Sequence, residues 1–376
     1  MATLIFKCTE RCNSRCVYCD VSRSHAGTLD ASAPLLGTLF SRLNEFLAER
    51  PHETILFTWH GGEPLLMGPD FFGLAYELQE KHCRNTKSRI THCMQSNLTL
   101  LTDEFIPALQ RLGIRSIGTS YDPEPHMRGF GDAVDSIAYN RAFLRATSLL
   151  EKHGMTWGFI YVVTRRSLAD PVRTFLTLGN LKPAGGFNIN PVVTADGAVV
   201  DYAISPEEFA DFLGAVFPVW FAHRDRYPHV EPFDSLMANV ESGEGSRLTC
   251  DDSGGCAGHH LNVDPAGNVS QCGRSSDLGI MPWGNLADTS LAESLRRSRE
   301  TFGGRTRKLR EAECGECRLF ALCHGGCPIE GYLRRGSYGD RTRWCAARQR
   351  FISKYFEPTT GLTVQGLKDW MGGDRG

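Results

Sequence analysis

Three cysteines near the start of the chain have a spacing that suits a reactive metal site. Cys12, Cys16 and Cys19 form the pattern C-x-x-x-C-x-x-C directly after a short apolar run. A structural zinc ion takes four protein ligands, whereas a four-iron four-sulfur cluster held by three cysteines leaves one iron with open coordination positions. The loop therefore predicts an iron-sulfur cluster at which chemistry occurs. A zinc loop with its fourth ligand elsewhere is the alternative.

A second group of eight cysteines lies after residue 249. Its members are Cys250, Cys256, Cys272, Cys314, Cys317, Cys323, Cys327 and Cys345. Eight thiols complete two closed four-cysteine sites, as in two further clusters or a pair of zinc ribbons. The remaining three cysteines, Cys8, Cys83 and Cys93, are expected to be structural.

The composition is that of a globular protein without a strong charge field. The chain has 376 residues, of which 41% are hydrophobic and 22% charged, and its formal net charge is -2. These values give no reason to expect a nucleic acid partner or an anionic membrane. The longest apolar stretch, residues 212–222, is interrupted by Gly214 and Pro218 and is too short to span a bilayer. Residues 1–6 lack the features of a secretory signal, so we expect a cytoplasmic protein whose cysteines stay reduced.

The residues between the two cysteine groups alternate between strand and helix patterns. Strands are predicted at residues 4–7, 54–59, 89–95, 116–120, 157–163 and 187–190. Helices are predicted at residues 34–48, 70–82, 102–112, 135–153, 170–178 and 206–221, and Thr102 is the expected cap of the third.

This alternation predicts where a ligand would bind. Strands that alternate with helices imply parallel pairing, and ligands of such folds bind at the carboxyl ends of the strands. Four polar or glycine-rich segments follow strand ends: the cysteine loop, His60-Gly61-Gly62-Glu63-Pro64, Ser96-Asn97 and Ser120-Tyr121-Asp122. We therefore expect these four segments to form one site.

The cysteine spacing together with the Gly-Gly-Glu-Pro turn resembles the radical S-adenosylmethionine (SAM) superfamily. The resemblance implies an α/β fold, a partial six-stranded (β/α)6 TIM-like barrel, in which SAM chelates the open iron of the cluster. It implies SAM contacts for residues at the matching strand ends, which are Tyr18, Gly61, Gly62, Glu63, Pro64, Asn97 and Ser120. Tyr18 matches the position beside adenine, and Glu63 can accept a hydrogen bond from the amine.

The last third of the chain resembles the SPASM domain, the auxiliary-cluster module of radical SAM enzymes that modify peptides and proteins. The resemblance assigns Cys250, Cys256, Cys272 and Cys327 to one four-iron four-sulfur cluster, and Cys314, Cys317, Cys323 and Cys345 to the other. With the first cluster this makes three, in a radical SAM domain over residues 1–235 and a SPASM domain over residues 236–376. The turn at residues 264–268 predicts a hairpin, and His324 is expected to be exposed to solvent.

One residue departs from the relatives with the most similar spacing. That spacing is close to anaerobic sulfatase-maturating enzymes, which oxidise a cysteine or serine to formylglycine and carry an aspartate base directly after the third cysteine of the first auxiliary cluster. This chain has Gly273 there. Glycine cannot accept a proton, so we expect a different reaction. Asp122 is a candidate for proton removal or substrate contact.

The functional prediction is a maturase that abstracts a hydrogen atom from a ribosomally made precursor peptide. Among such reactions a carbon-carbon cyclophane crosslink is favoured over a thioether. The alternatives are formylglycine formation with a relocated base and, from another class, a non-catalytic iron-sulfur or zinc protein. The expected partners are the precursor peptide, a separate leader-recognition protein and a reductant of the flavodoxin or ferredoxin type.

Overall fold

The structure is a computed structural model that describes residues 1–19, 28–194, 200–227, 229–247, 249–253 and 256–368. The chain divides into two compact units. The first contains Met1–Phe159 and Ala257–Thr301, and the second contains Ile160–Cys256 and Phe302–Gly376. The predicted division at residue 235 concerns domain organisation and stays a prediction.

Strands and helices alternate through the first two-thirds of the described chain. The strands are β1 Ala2–Lys7, β2 Ile55–His60, β3 Ile90–Gln95, β4 Ser116–Ser120, β5 Thr156–Val163, β6 Phe187–Pro191, β7 Val230–Glu231, β8 His260–Val263, β9 Asn268–Ser270 and β10 Pro282–Asn285. Within the described ranges up to residue 253, the helices are α1 Ala33–Glu49, α2 Pro69–His82, α3 Phe105–Arg111, α4 Ser136–Lys152, α5 Pro171–Gly179, α6 Pro206–Ala222, α7 Phe233–Ser242 and α8 Cys250–Ser253. They are followed by α9 Gly273–Asp277, α10 Leu291–Phe302, α11 Arg305–Glu311, α12 Phe320–Cys323, α13 Pro328–Arg335, α14 Cys345–Phe351 and α15 Glu357–Thr360.

The first unit is built on a mostly parallel sheet, which confirms the predicted α/β class. β1 pairs in parallel with β2 on one side and with β8 on the other, and β2–β3 and β3–β4 are also parallel. The pairs β8–β9 and β9–β10 are antiparallel, so the predicted hairpin around residues 264–268 is confirmed. Parallel pairing brings the carboxyl ends of β1 to β4 to the same edge of the sheet.

Aromatic side chains form the core beneath this edge. Phe6, Phe57 and Trp59 are fully buried, and their ring centroids lie 4.8 to 6.1 Å apart. Cys8 and Cys83 are buried as predicted, while the partly buried Cys93 lies 3.2 Å from Thr58 Oγ1. This packing holds the strand ends of the first unit in place.

The predicted start of one helix is wrong. Thr102 does not cap α3, which begins three residues later at Phe105 with Glu104 in the cap position. Pro107 supplies the physical reason. A helix beginning near residue 102 would place this proline in its interior, where a hydrogen bond to the preceding turn would be lost, whereas the observed start places Pro107 in the first turn.

No helix in the described ranges combines the length and the apolar character that crossing a membrane would require.

Candidate active site

The cysteine loop follows β1 and is held in place by its backbone. The Arg15 amide donates to the Gly129 carbonyl at 2.8 Å, and the Val17 amide donates to the Met127 carbonyl at 2.9 Å. The Cys12 side chain is exposed, and its sulfur accepts from the Ser14 amide at 3.4 Å. Because backbone contacts fix the loop, its thiols stay available as ligands.

The Gly61-Gly62 turn after β2 packs directly against the start of this loop. The Gly62 amide donates to the Thr9 carbonyl at 2.9 Å, and the Glu63 amide donates to the Arg11 carbonyl at 2.8 Å. A Cβ atom at Gly62 would lie 2.2 Å from the Arg11 carbonyl oxygen, and Gly61 has a φ of +148°. Only glycine allows this approach. The turn therefore brings Glu63 close to the cysteine loop.

Glu63 is a fully buried carboxylate whose oxygens accept from three donors. Oε1 accepts from the Leu65 amide at 2.9 Å and from Ser96 Oγ at 2.7 Å, and Oε2 accepts from the Asn97 amide at 2.6 Å. Burial raises the pKa of Glu63 from 4.5 to about 7, although the three donors act in the opposite direction. Two carboxylate oxygens offer about four acceptor positions, so one position on Oε2 is left for a ligand.

Asn97 links the end of β3 to the cysteine loop. Its Nδ2 donates to Asn13 Oδ1 at 2.8 Å and to Ser14 Oγ at 3.1 Å, while its Oδ1 accepts from Thr99 Oγ1 at 2.7 Å. These bonds occupy most of the amide, so Asn97 positions the loop. Its predicted contact with SAM stays a prediction, as do those of Gly61, Gly62, Pro64 and Ser120, the last residue of β4.

A buried ion pair lies beside the loop. Arg128 Nε donates to Asp122 Oδ2 at 2.9 Å, and Arg128 Nη2 donates to the Tyr18 hydroxyl at 2.7 Å. The Tyr18 hydroxyl in turn donates to Asp122, and burial raises the pKa of Tyr18 well above its usual value. The Asp122 charge is thus already compensated. The geometry favours a positioning role for Asp122, and its proposed role in proton removal stays a prediction.

Sequence reasoning missed two members of this arrangement. The sequence places Ser96 at a strand end without a stated role, and in the structure its hydroxyl donates to Glu63. Arg128 lies in the loop after β4, and no motif pointed to it. The weak signal was charge: a lone arginine between a predicted active-site aspartate and the next helix needs a carboxylate partner if it is buried.

A second polar group lies at the end of β1, next to the position that departs from the sulfatase-maturating pattern. Lys7 is buried, its Nζ donates to the Gly273 carbonyl at 3.0 Å, and it forms an ion pair with Asp277. Lys7, Asp277 and Gly62 line one small cavity. A Cβ atom at Gly273 would have Lys7 Cε as its nearest neighbour, at 3.6 Å. The Lys7 ammonium group, paired with the Asp277 carboxylate, therefore occupies the space beside Gly273.

Four cysteines of the second unit surround one cavity. Cys314, Cys317, Cys323 and Cys345, the four assigned to one auxiliary cluster, line it together with Arg341 and Arg348. Burial raises the pKa of Cys323 to about 11, and the Arg348 charge opposes this rise. Four thiols that face one space beside two cations are a donor set that fits a negatively charged iron-sulfur cluster.

The other set of four is divided between the units. Cys272 belongs to the first unit, where its sulfur accepts from the Ser275 amide at 3.5 Å, and Cys250, Cys256 and Cys327 belong to the second. Their common cluster stays a prediction. Within the described residues, no three His, Cys, Asp or Glu side chains are arranged to hold a single metal ion.

The prediction of an exposed His324 is wrong. Its exposed fraction is 1%, and its φ is +45°. The residue is the C-cap of α12 in the left-handed conformation, and its amide donates to the Phe320 carbonyl at 2.8 Å, so its side chain is held within the second unit.

Comparison with known proteins identifies the first part of the chain. Residues 6–178 match the family model of the Radical SAM superfamily. The chain is 26% identical over 348 residues to a serine-type anaerobic sulfatase-maturating enzyme of Bacteroides thetaiotaomicron, a match that covers 86% of this chain and 81% of the relative.

Solved structures share the fold over nearly the whole chain. The structure of anSMEcpe with bound AdoMet and the Cp18Cys peptide has a TM-score of 0.79 at 22% identity and covers 96% of this chain and 98% of that one. Streptococcus suis SuiB bound to the precursor peptide SuiA has a TM-score of 0.61 at 12% identity, with 92% and 76% covered. The predicted fold class is confirmed.

Proposed function

Since residues 6–178 form a radical SAM domain and the chain is a radical SAM enzyme, we propose that it oxidises a side chain of a peptide substrate. The observation that carries the proposal is that the carboxyl ends of β1, β2 and β3 meet at the cysteine loop. Gly62 and Asn97 both hydrogen-bond to this loop, and Glu63 keeps one acceptor position free beside it.

Different residues would bind the cluster and SAM. Cys12, Cys16 and Cys19 would hold the cluster, and Glu63 Oε2 would accept a hydrogen bond from the SAM amine. When bound, the cluster and SAM supply a carbon-centred radical that removes a hydrogen atom from the substrate. The partly buried Tyr18 and Arg128 are hydrogen-bonded to each other at the far side of the loop, so they limit its movement around the cluster.

An oxidative crosslink is the first candidate for the product, with a carbon-carbon cyclophane ahead of a thioether. Forming it removes two hydrogen atoms from the peptide: one is abstracted, and the other leaves as a proton and an electron. The eight distal cysteines, if they bind two clusters, provide an electron acceptor. The Lys7 ammonium beside Gly273 favours this reading, because formylglycine formation would need a base there.

Formylglycine formation is the second candidate, favoured by the activity for which the Bacteroides relative is named. A carboxylate lies near the altered position. Asp277 lies four residues after Gly273 on α9 and is held by Lys7. It would act as a base only after separating from the ammonium, since an ion pair lowers the basicity of a carboxylate.

The test is anaerobic reconstitution with iron and sulfide, followed by reaction with SAM, a chemical reductant and the Cp18Cys peptide or its serine variant. We expect release of 5'-deoxyadenosine and about twelve bound irons, four for each of three clusters. The matched control replaces Cys12, Cys16 and Cys19 with alanine, which should abolish SAM cleavage and retain the auxiliary iron. Zinc in place of iron, or no SAM cleavage after reduction, would contradict the proposed radical SAM activity and support the non-catalytic alternative.

The mass of the product alone does not identify the reaction. A crosslink and the conversion of serine to formylglycine both remove two hydrogen atoms, so a hydrazide probe should be added to the products. The aldehyde of formylglycine reacts with the probe, whereas a crosslink leaves the product unreactive and suppresses fragmentation between the linked residues in tandem mass spectrometry. A natural precursor peptide should be tested in the same way.

The remaining partners stay proposals. We retain a ribosomal precursor peptide as substrate, a separate leader-recognition protein, a flavodoxin or ferredoxin type reductant and a cytoplasmic location. The two auxiliary clusters and the SPASM character of residues 236–376 belong to the same proposal.

A further inference from the structure

Arg305, the first residue of α11, is a buried cation whose hydrogen bonds end on backbone carbonyls. It is 5% exposed. Its guanidinium donates to the carbonyl oxygens of Tyr338 at 2.7 Å, Gly326 at 2.9 Å, Asp340 at 2.6 Å and Gly325 at 3.4 Å. In the part of the chain that the structure describes, no carboxylate pairs with it. Carbonyls satisfy its donors without compensating its charge.

A buried charge without a counter-ion is costly, and the carbonyls that bind this one include Gly325 and Gly326, between Cys323 and Cys327. Burial lowers the pKa of Arg305, while the charges of Cys327, Cys256, Cys314 and Cys323 act to raise it. The neighbouring arginines differ in this respect. Arg348 pairs with Asp252, and Arg341 pairs with Glu313 at 3.0 Å. The compensating charge for Arg305 is therefore to be sought among the cysteines.

Arg305 lies beside one cysteine from each of the two sets assigned to the auxiliary clusters. Gly325 and Gly326, whose carbonyls it binds, lie between Cys323 and Cys327. The resemblance to SPASM domains assigns these two cysteines to different clusters. The guanidinium thus holds the short segment that joins a ligand of one cluster to a ligand of the other.

We propose that Arg305 is the counter-cation of the auxiliary clusters and that its charge sets their reduction potentials. This proposal rests on the proposed iron-sulfur clusters. A cluster bound by four thiolates is net negative and becomes more negative on reduction. A nearby fixed cation stabilises the reduced form more than the oxidised form, so it raises the reduction potential. Arg305 is a positioning residue, since it acts on the substrate only through the clusters.

The experiment compares R305Q with R305K in the reconstituted full chain. R305Q removes the charge and keeps some hydrogen bonding, whereas R305K keeps the charge and loses the fork of donors. Iron content and the potentials of the auxiliary clusters are measured by redox titration followed by electron paramagnetic resonance. We expect R305Q to shift the potentials to more negative values and R305K to stay close to the wild type.

The matched control is R89Q. Arg89 also donates to three backbone carbonyls, those of Leu47, Arg50 and Glu53, and these lie at and just after the end of α1. This variant loses the same kind of hydrogen bonds and should leave the potentials unchanged.

The possible outcomes distinguish an effect of the Arg305 charge from an effect of misfolding. If R305Q loses auxiliary iron while R305K retains it, the charge is still what the clusters require, and the proposal is supported. Unchanged potentials in a fully loaded R305Q, or equal effects of R305Q and R305K, would overturn it. A wild type that binds no iron would instead refute the proposed function, before any variant is compared.

Discussion

Replacing Glu63 with glutamine tests the central contact of the site. The wild-type carboxylate accepts from the Leu65 amide, the Ser96 hydroxyl and the Asn97 amide. A glutamine amide has one accepting and one donating end, so it leaves at least one of the two backbone amides facing a donor. An unsatisfied buried donor costs about 1–3 kcal/mol. The same change removes the acceptor position proposed for SAM.

The effect on stability depends on pH, and its sign follows from the pKa of Glu63. That pKa is raised from 4.5 to about 7, so the protonated form stabilises the fold. The contribution is complete below pH 4.5 and is lost as pH rises through about 7. At about 1.4 kcal/mol for each pKa unit, it amounts to about 3 kcal/mol in the unliganded protein. Glutamine does not titrate, so the free energy of unfolding of E63Q does not fall in this way as pH rises. The difference in unfolding free energy between the wild type and E63Q should therefore shrink between pH 5 and 8 and can reverse.

Binding of SAM should show the opposite pH dependence. A charge-assisted hydrogen bond contributes about 1.5–3 kcal/mol, or about ten- to a hundredfold in affinity. The wild type should therefore bind SAM more weakly as pH falls below about 7, where Glu63 becomes protonated. E63Q should bind weakly and independently of pH.

The assay is calorimetric titration of the reconstituted enzyme with SAM at a series of pH values, with chemical unfolding of the unliganded protein in parallel. E80Q is the control, because Glu80 pairs with Lys87 near the surface. Wild-type affinity in E63Q, or a wild-type affinity that does not change between pH 6 and pH 8, would refute the assignment of Glu63 as an acceptor for SAM.

Two further predictions concern the loop and its supports. G62A should lose about four irons, because its Cβ would lie 2.2 Å from the Arg11 carbonyl oxygen. G273A should keep the full iron content, because the nearest atom to its Cβ would be 3.6 Å away. Equal iron content in the two variants would contradict the packing argument. R128M should destabilise the protein by about 3–5 kcal/mol, because it removes the cation that compensates the buried Asp122 charge, and the double variant R128M/D122N should recover part of the loss in denaturant unfolding. Additive effects of the two substitutions would mean that the pair is not coupled.

The strand ends of the site were predictable because local pattern and chemistry agree there. The segment from Thr54 to Trp59 has strand composition, and the glycines that follow it can serve only a turn or a close backbone approach. The structure shows that approach, against Arg11. The sequence predicts Glu63 as a hydrogen-bond acceptor, but it predicts neither its burial nor its donors Ser96 and Asn97, because these two residues follow a different strand, β3.

The pairing of β8 with β1 could not be predicted. Residues 260–263 read as a short hairpin strand of the cysteine-rich region, and nothing in their sequence specifies β1 as a neighbour. Parallel partners distant in the chain leave no local signal, since their pairing depends on how the whole sheet assembles. The same holds for Lys7, whose ion pair with Asp277 exists only because β1 and α9 meet.

Arg305 shows a different limit of sequence reasoning. A run of arginines and lysines on α11 suggests a solvated helix face, and the first of these residues is the buried one. Motifs find cysteines because the chemistry of a ligand fixes its residue type and spacing. A residue that binds carbonyls of four other residues has no such signature, since any backbone can supply a carbonyl. Residues that bind a cluster can therefore be predicted from sequence, while residues that set its potential are found only when the buried charges of the fold are matched against their partners.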